Sequence, residues 1–410
     1  MERYLQVRRQ TEALCEPLLA EDYVLQSMPD ASPARWHLAH TTWFFETFVL
    51  VPSLPGYKRR DAAYDYLFNS YYNGVGAQFP RHLRGQLSRP TTDEIRSWRQ
   101  AVDGAMVQLL ESGVDERTSN IVTVGINHEQ QHQELLVTDI KHALAQSPLW
   151  PAYNEDLKHA VSRTAAPGPD RVQLDGGLID IGHRGTGFHF DNEVPVHRAL
   201  VPPFALARHL VTNRQWLEFM ESGGYSTHHL WLSDGWYLAQ HEQWSAPLYW
   251  EHSPDGWTTF TTAGRRPVDL DAPVTHISFF EADAFARWAG GRLPTEFDWE
   301  HASVLENHDG GFQGDGHLHP LGNTKAGDDG IQHLFGDVWE WTSSPYRPYP
   351  GYQAPSGAIG EYNGKFMNGC YVLRGGSCAT PRDHIRPTYR NFFGPDKRWQ
   401  FTGLRLAYDS

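Results

Sequence analysis

Two histidines four residues apart, His128 and His132, stand in the run from Ile121 to Ala145 as the pentad His128-Glu129-Gln130-Gln131-His132. On a helix, positions i and i+4 lie one above the other on the same face, so both imidazoles can turn towards a single metal ion. Metal sites in helical proteins form where facing helices project ligands inward, so the pentad asks for a bundle around it. The same letters also spell H-E-x-x-H, the pattern in which two histidines hold Zn²⁺ and the glutamate acts as general base. The remainder of the chain decides between these chemistries.

As far as about residue 160 the pattern is helical. Leu5, Cys15 and Leu18-Leu19 mark a first amphipathic segment. Ser32-Pro33 reads as an N-cap with proline at the first helical position of a second helix, Ala34 to Leu50. A third begins near Thr91-Thr92-Asp93-Glu94, with Ile95, Trp98, Val102, Met106 and Leu109 at spacings of three and four, and the helix of the pentad is the fourth. Four such helices predict an antiparallel bundle over residues 1–162. The long connection Val51 to Pro90 is rich in Tyr and Arg, which argues for an ordered, functional loop. The stretch Ser162 to Asp170 reads as a linker. Beyond it, residues 171–410 alternate short strands, turns and short helices, which predicts a mixed α/β domain. Its Glu296, Asp298, Glu300 and Glu340 interleave with Trp and Arg and read as structural ion-pair partners.

The 410 residues carry a formal net charge of -14, which argues against a nucleic-acid or anionic-membrane partner. Three cysteines, Cys15, Cys370 and Cys378, are too scattered for a disulfide framework. The opening MERYLQVRRQTEALCEPLL lacks a signal-peptide core, and no apolar run has transmembrane length. The expectation is a soluble, cytoplasmic protein.

Two histidines rarely complete a site. The second helix offers a third in Trp36-His37-Leu38-Ala39-His40; His40 shares a face with Trp36 and Trp43, whereas His37 is expected to turn away. Three imidazoles suit iron, zinc or copper alike. A zinc peptidase would use Glu129 as base and Glu155 as a downstream third ligand, but it leaves the second domain without a purpose. Tyr71 and Tyr72, adjacent in Asn69-Ser70-Tyr71-Tyr72-Asn73-Gly74, are in the ordinary case packing residues. Beside an oxygen-activating metal their phenols could deliver protons. Arg81 and Arg84 could clamp a carboxylate, against the plainer alternative of solvated surface arginines.

Taken in order, LAH, HEQQH, GRLPTEFDWEHA, GDVWEWTSSPY, VLRGGSCATP, IRPTYRNFF and FTGLRLA make the chain resemble the ergothioneine-biosynthetic sulfoxide synthases, or hercynine oxygenases. The resemblance covers nearly the whole chain. It implies a DinB-like four-helix bundle followed by a formylglycine-generating-enzyme-type domain with a C-type-lectin-like fold that completes the substrate pocket. It further implies an Fe²⁺ enzyme that uses O₂ to join hercynine, the betaine of histidine, to a thiol as a sulfoxide. By matching motif, His40, His128 and His132 become iron ligands, and Gln131, Asn391 and Phe392 fall where the family binds hercynine. NSYY resembles the subgroup in which adjacent tyrosines of the bundle loop face the iron, so Tyr71 and Tyr72 inherit proton delivery. Many members instead carry a second-domain tyrosine, for which Tyr362 is a poor match. In relatives that use γ-glutamylcysteine, two arginines and an aspartate hold that donor. Arg81 and Arg84 match the spacing, but Phe393 stands in the aspartate's place, which favours L-cysteine over γ-glutamylcysteine. The alternatives are a selenoneine synthase coupling hercynine to a selenosugar, the HExxH zinc peptidase, and a non-catalytic ligand-binding protein.

Overall fold

A computed structural model describes residues 1–157, 170–304, 309–322 and 330–410; the expected linker, 162–170, lies almost wholly outside them. The chain divides into two compact units: Met1–Tyr153 with Ala354–Tyr362, and Asn154–Gln353 with Asn363–Ser410.

The first unit is built on four helices: α1 (Glu2–Ala13), α2 (Ala34–Phe45), α3 (Thr92–Glu111) and α4 (Glu116–Ala145). Helix α2 packs on both α3 and α4, and α1 packs on α4. Helix α3 starts with a capping box: the Thr91 hydroxyl accepts from the Glu94 N–H while the Glu94 carboxylate accepts from the Thr91 N–H. Asp115 caps α4 through the Thr118 N–H. Two expectations for α2 need correction. Ser32 does not cap it: its N–H donates to Asp139 Oδ2 and its hydroxyl accepts from Arg84. Nor does the α-helix run to Leu50. It gives way to a π-helical turn, Glu46–Leu50, where the buried Glu46 accepts from Trp98 Nε1 and Tyr57 Oη. All twelve residues of α2 are buried, so it forms the centre of the bundle rather than one side of it.

The second unit mixes short sheets and helices. Its largest sheet orders Asn391–Phe393, Tyr371–Arg374, Trp339–Pro345 and Thr402–Gly403, the last pair parallel and the others antiparallel. Capping boxes start the helices at Thr212, Ser278 and Thr295. The acidic residues that interleave with Trp and Arg are indeed structural: Arg374 reaches Glu296 (3.0 Å) and Glu300 (2.9 Å), Arg390 reaches Glu296 (2.8 Å), and Arg405 reaches Glu340 (3.1 Å). Buried carboxylates of this kind are tolerated because each is paired and hydrogen-bonded. Among the described residues no helix is long and apolar enough to cross a membrane.

Candidate metal centre

His40 from α2 and His128 and His132 from α4 converge, all buried, with one nitrogen of each within 4.8 Å of the others. His40 Nε2 lies 3.1 Å from His128 Nε2. The His40 ring is fixed from several directions. Its Nδ1–H donates to the Phe68 carbonyl (2.5 Å), which leaves the Nε2 lone pair facing the centre. Trp36, one turn before, stacks on it at 4.7 Å and 11°, and Trp43, one turn after, at 5.6 Å and 20°.

The donor set fits a metal ion. Burial, then neighbouring histidine charge, holds His40 and His132 far below the ordinary imidazole range, and burial takes His128 down to about 3. All three are therefore neutral at pH 7, the form that ligates. His128 turns its Nε2 to His40, while its Nδ1 is buried with no hydrogen-bond partner to fix the ring's tautomer. Two nitrogens at about 2.1 Å from one ion and at right angles stand about 3.0 Å apart, close to the 3.1 Å between His40 and His128.

Glu129 takes no part in this centre. One residue along α4 from His128, it faces α1 and α3 and is fully buried there. It accepts from Arg8 Nη1 (2.9 Å), from Thr11 Oγ1 (2.7 Å) and from Arg99 Nη2. Burial alone would raise its pKa, but the two guanidinium charges outweigh it and bring the carboxyl down to about 2. An ionised carboxylate with its oxygens committed to two arginines is not a general base for a metal-bound water. Glu155 is exposed and belongs to the second unit. The zinc-peptidase reading loses its general base.

The loop after α2 brings phenols close by. The Asn69 side chain ties the turn, accepting from the Tyr72 N–H (2.8 Å) and donating to the Tyr72 carbonyl (2.9 Å). Tyr72 is buried against Phe48 (5.1 Å) and Trp43 (5.8 Å), and the half-buried Tyr71 donates to Tyr72 Oη at 3.4 Å, its ring 4.5 Å from that of Tyr72. Tyr362 joins them, although its sequence context gave it little weight. Its hydroxyl donates to Gln131 Oε1, its ring stands edge-on to His128 at 5.8 Å, and it meets Tyr71 at 6.2 Å. The neighbouring Glu361 carboxylate accepts from the N–H groups of Asn73 (3.0 Å) and Gly74 (2.7 Å), tying this segment to the tyrosine loop. No spacing in the sequence points from position 362 to position 131.

The remaining candidates fall elsewhere. Arg81 is exposed, whereas Arg84 is buried with its guanidinium 3.4 Å over the Trp36 ring, donating to Ser32 Oγ (3.0 Å) and Ser70 Oγ (3.3 Å). Arg84 is thus not the solvated surface arginine of the plainer alternative. Arg84 instead buttresses the tryptophan that stacks on His40. His37, expected to turn away, is buried with its Nδ1 2.9 Å from His132 Nδ1. Asn391, Phe392 and Phe393 form the half-buried edge strand of the second unit's main sheet. There Phe392 stacks on Tyr346 (4.1 Å, 8°), and Asn391 Oδ1 accepts from the Phe392 N–H.

A helical bundle with a buried three-histidine centre, continued by a strand-and-turn domain rich in buried Arg–Glu pairs, defines a recognisable class. The DinB superfamily model matches residues 3–142, and the sulfatase-modifying factor enzyme 1-like domain matches 157–315 and 305–410. Relatives align with this chain across both parts. Hercynine oxygenase of Mycobacterium tuberculosis is 32% identical over 404 residues, covering 93% of this chain and 92% of that one. Its counterpart in Mycolicibacterium smegmatis is also 32% identical, covering 94% and 92%. The formylglycine-generating enzyme of Streptomyces coelicolor is 30% identical but covers only 60% of this chain. The chain belongs to the hercynine oxygenase family.

Proposed function

We propose that this protein is an iron(II)- and O₂-dependent enzyme of ergothioneine biosynthesis that joins hercynine to a thiol, L-cysteine in preference to γ-glutamylcysteine, giving a hercynyl-cysteine sulfoxide. The observation that carries the proposal is the buried, neutral His40/His128/His132 cluster with phenols beside it, within a family whose relatives act on hercynine. His40, His128 and His132 would hold the iron, which when bound supplies redox chemistry and positions for O₂ and both substrates.

The side chains around the centre do the rest. Trp36, Trp43 and Phe44, buried against His40 and His128, keep bulk water from that side. Burial, reinforced by Tyr71 and Tyr362, holds the Tyr72 phenol well above its ordinary value, so Tyr72 is a proton donor at neutral pH and not a phenolate. Tyr71 Oη–H, which donates to Tyr72 at 3.4 Å at rest, would turn to hand its proton to the reacting oxygen, and Tyr72 would then donate to Tyr71 to resupply it. Gln131 on α4, held by Tyr362, would orient hercynine. For the donor, Phe393 offers no oxygen where relatives that use γ-glutamylcysteine carry an aspartate, and cysteine needs no such contact.

The test is to supply Fe²⁺, air and hercynine with cysteine, γ-glutamylcysteine or a selenosugar in separate reactions and to weigh the products. A hercynyl-cysteine sulfoxide from the cysteine reaction is expected. A selenium adduct in preference would reassign the donor, and no coupled product with oxygen uptake at background would leave a binding protein.

A further inference from the structure

We infer that His37 and Asp139 form a relay that sets the tautomer of His132 and so prepares its Nε2 for the metal; this rests on the proposed centre. The chain of bonds starts at Asp139, a buried carboxylate whose Oδ2 accepts from the Ser32 N–H (2.8 Å) and stands 3.1 Å from His37 Nε2. A carboxylate only accepts, so His37 carries its proton on Nε2. The relay takes this as the ring's one proton, which leaves a lone pair at Nδ1. His132 Nδ1 lies 2.9 Å from that lone pair and must be the donor. With its proton on Nδ1, His132 has its Nε2 lone pair free for a metal, and one of its ring nitrogens lies within 4.8 Å of a nitrogen of both His40 and His128. Each bond fixes the next.

The order of residues on the helices makes this possible. His37 precedes His40 by three positions on α2, and Asp139 follows His132 by seven on α4, so the relay runs alongside the centre on the same two helices. Without it, His132 could rest as the Nε2–H tautomer, and binding a metal would require a proton shift in a buried site. Partners that orient a ligating histidine in this way typically change metal affinity about 10- to 100-fold when removed. His37 is thus a positioning residue, not a ligand.

The experiment uses the full-length protein, stripped of metal and titrated with iron(II) without air by calorimetry, together with ¹⁵N spectra of its histidines. His37→Leu and Asp139→Ala are expected to weaken iron binding about 10- to 100-fold. His37→Gln should stay close to wild type, because its amide can accept from His132 and donate to Asp139. Thermal melts identify any variant that fails to fold, and the metal-free wild type provides a reading that needs no variant: His132 protonated on Nδ1. Equal affinity for wild type and His37→Leu overturns the relay, as does a His37→Gln affinity as poor as that of His37→Leu. If the wild type binds no iron, the proposed centre fails; an Nε2-protonated His132 in that same protein overturns the relay separately.

Discussion

Replacing Glu129 by Gln separates a structural carboxylate from a catalytic base, because the two roles predict opposite outcomes. Glu129 is fully buried, and the guanidiniums on it, Arg8 and Arg99, are 2% and 0% exposed. Removing one member of such a pair leaves buried charge uncompensated, at a cost of about 3–5 kcal/mol. Both arginines keep a second acid: Arg8 has Asp103 at 2.7 Å, and Arg99 has the half-exposed Glu12 at 3.3 Å. The amide also still accepts from Thr11. The lower end of the range, about 3 kcal/mol, is therefore expected. At 2–4 °C per kcal/mol for a unit of this size, Tm should fall by about 6–12 °C in a melt followed by circular dichroism. The folded fraction should bind metal as before, since none of the histidines loses a contact. A Glu129→Gln protein that melts within about 2 °C of wild type and yet has lost turnover would refute this account and return Glu129 to the role of base.

Four further outcomes follow from the same geometry. His40→Ala should abolish iron loading when Fe²⁺ is supplied, measured by metal analysis; an iron content equal to wild type would place the centre elsewhere. Tyr71→Phe or Tyr72→Phe should slow coupling by about 10²–10⁴-fold or shift product from sulfoxide to oxidised thiol, and unchanged rate and product ratio in both would dismiss the phenols as proton donors. Gly125→Ala should destabilise by about 1–3 kcal/mol in urea unfolding, because the added carbon would lie 2.6 Å from Phe45 and 2.8 Å from Phe44 at the bundle centre; a neutral effect would mean that these rings are loosely packed. In the second unit, burial pushes the His333 imidazole down, but the Asp337 hydrogen bond at 2.7 Å and its charge outweigh this and hold it above 6.5. A raised folded pKa contributes stability in full below the ordinary value and loses it as pH rises through the folded value. The stability gap between wild type and His333→Asn should therefore narrow as pH rises above 6.5, and a gap independent of pH would contradict the ion pair.

The parts of this molecule that could be read from sequence are those set by near neighbours along the chain. The four-residue spacing of His128 and His132 puts both rings on one face whatever surrounds them, and the Thr91–Glu94 box is satisfied within four residues. Helix α2 shows where such reasoning stops. The face shared with Trp36 and Trp43 points His40 to the centre, but with all twelve residues buried there is no polar side to which His37 could be assigned, and it turns to His132 instead. The same holds for charge. Arg84 would be expected at the surface and becomes a buried support for Trp36, because a flat guanidinium can stack on a ring while its Nη1 and Nη2 donate to two serines. Glu129 looks like a base beside His128 until Arg8 and Arg99, 121 and 30 residues away, are known to hold it. Tyr362 is the extreme case. Its hydroxyl meets a side chain 231 positions away, within a segment that leaves the second unit's sequence to join the first, and only the tertiary fold carries that information. If Tyr362 holds Gln131 where hercynine must bind, Tyr362→Phe should raise KM for hercynine more than it lowers kcat; an effect on kcat alone would make it a proton donor like its neighbours in the loop.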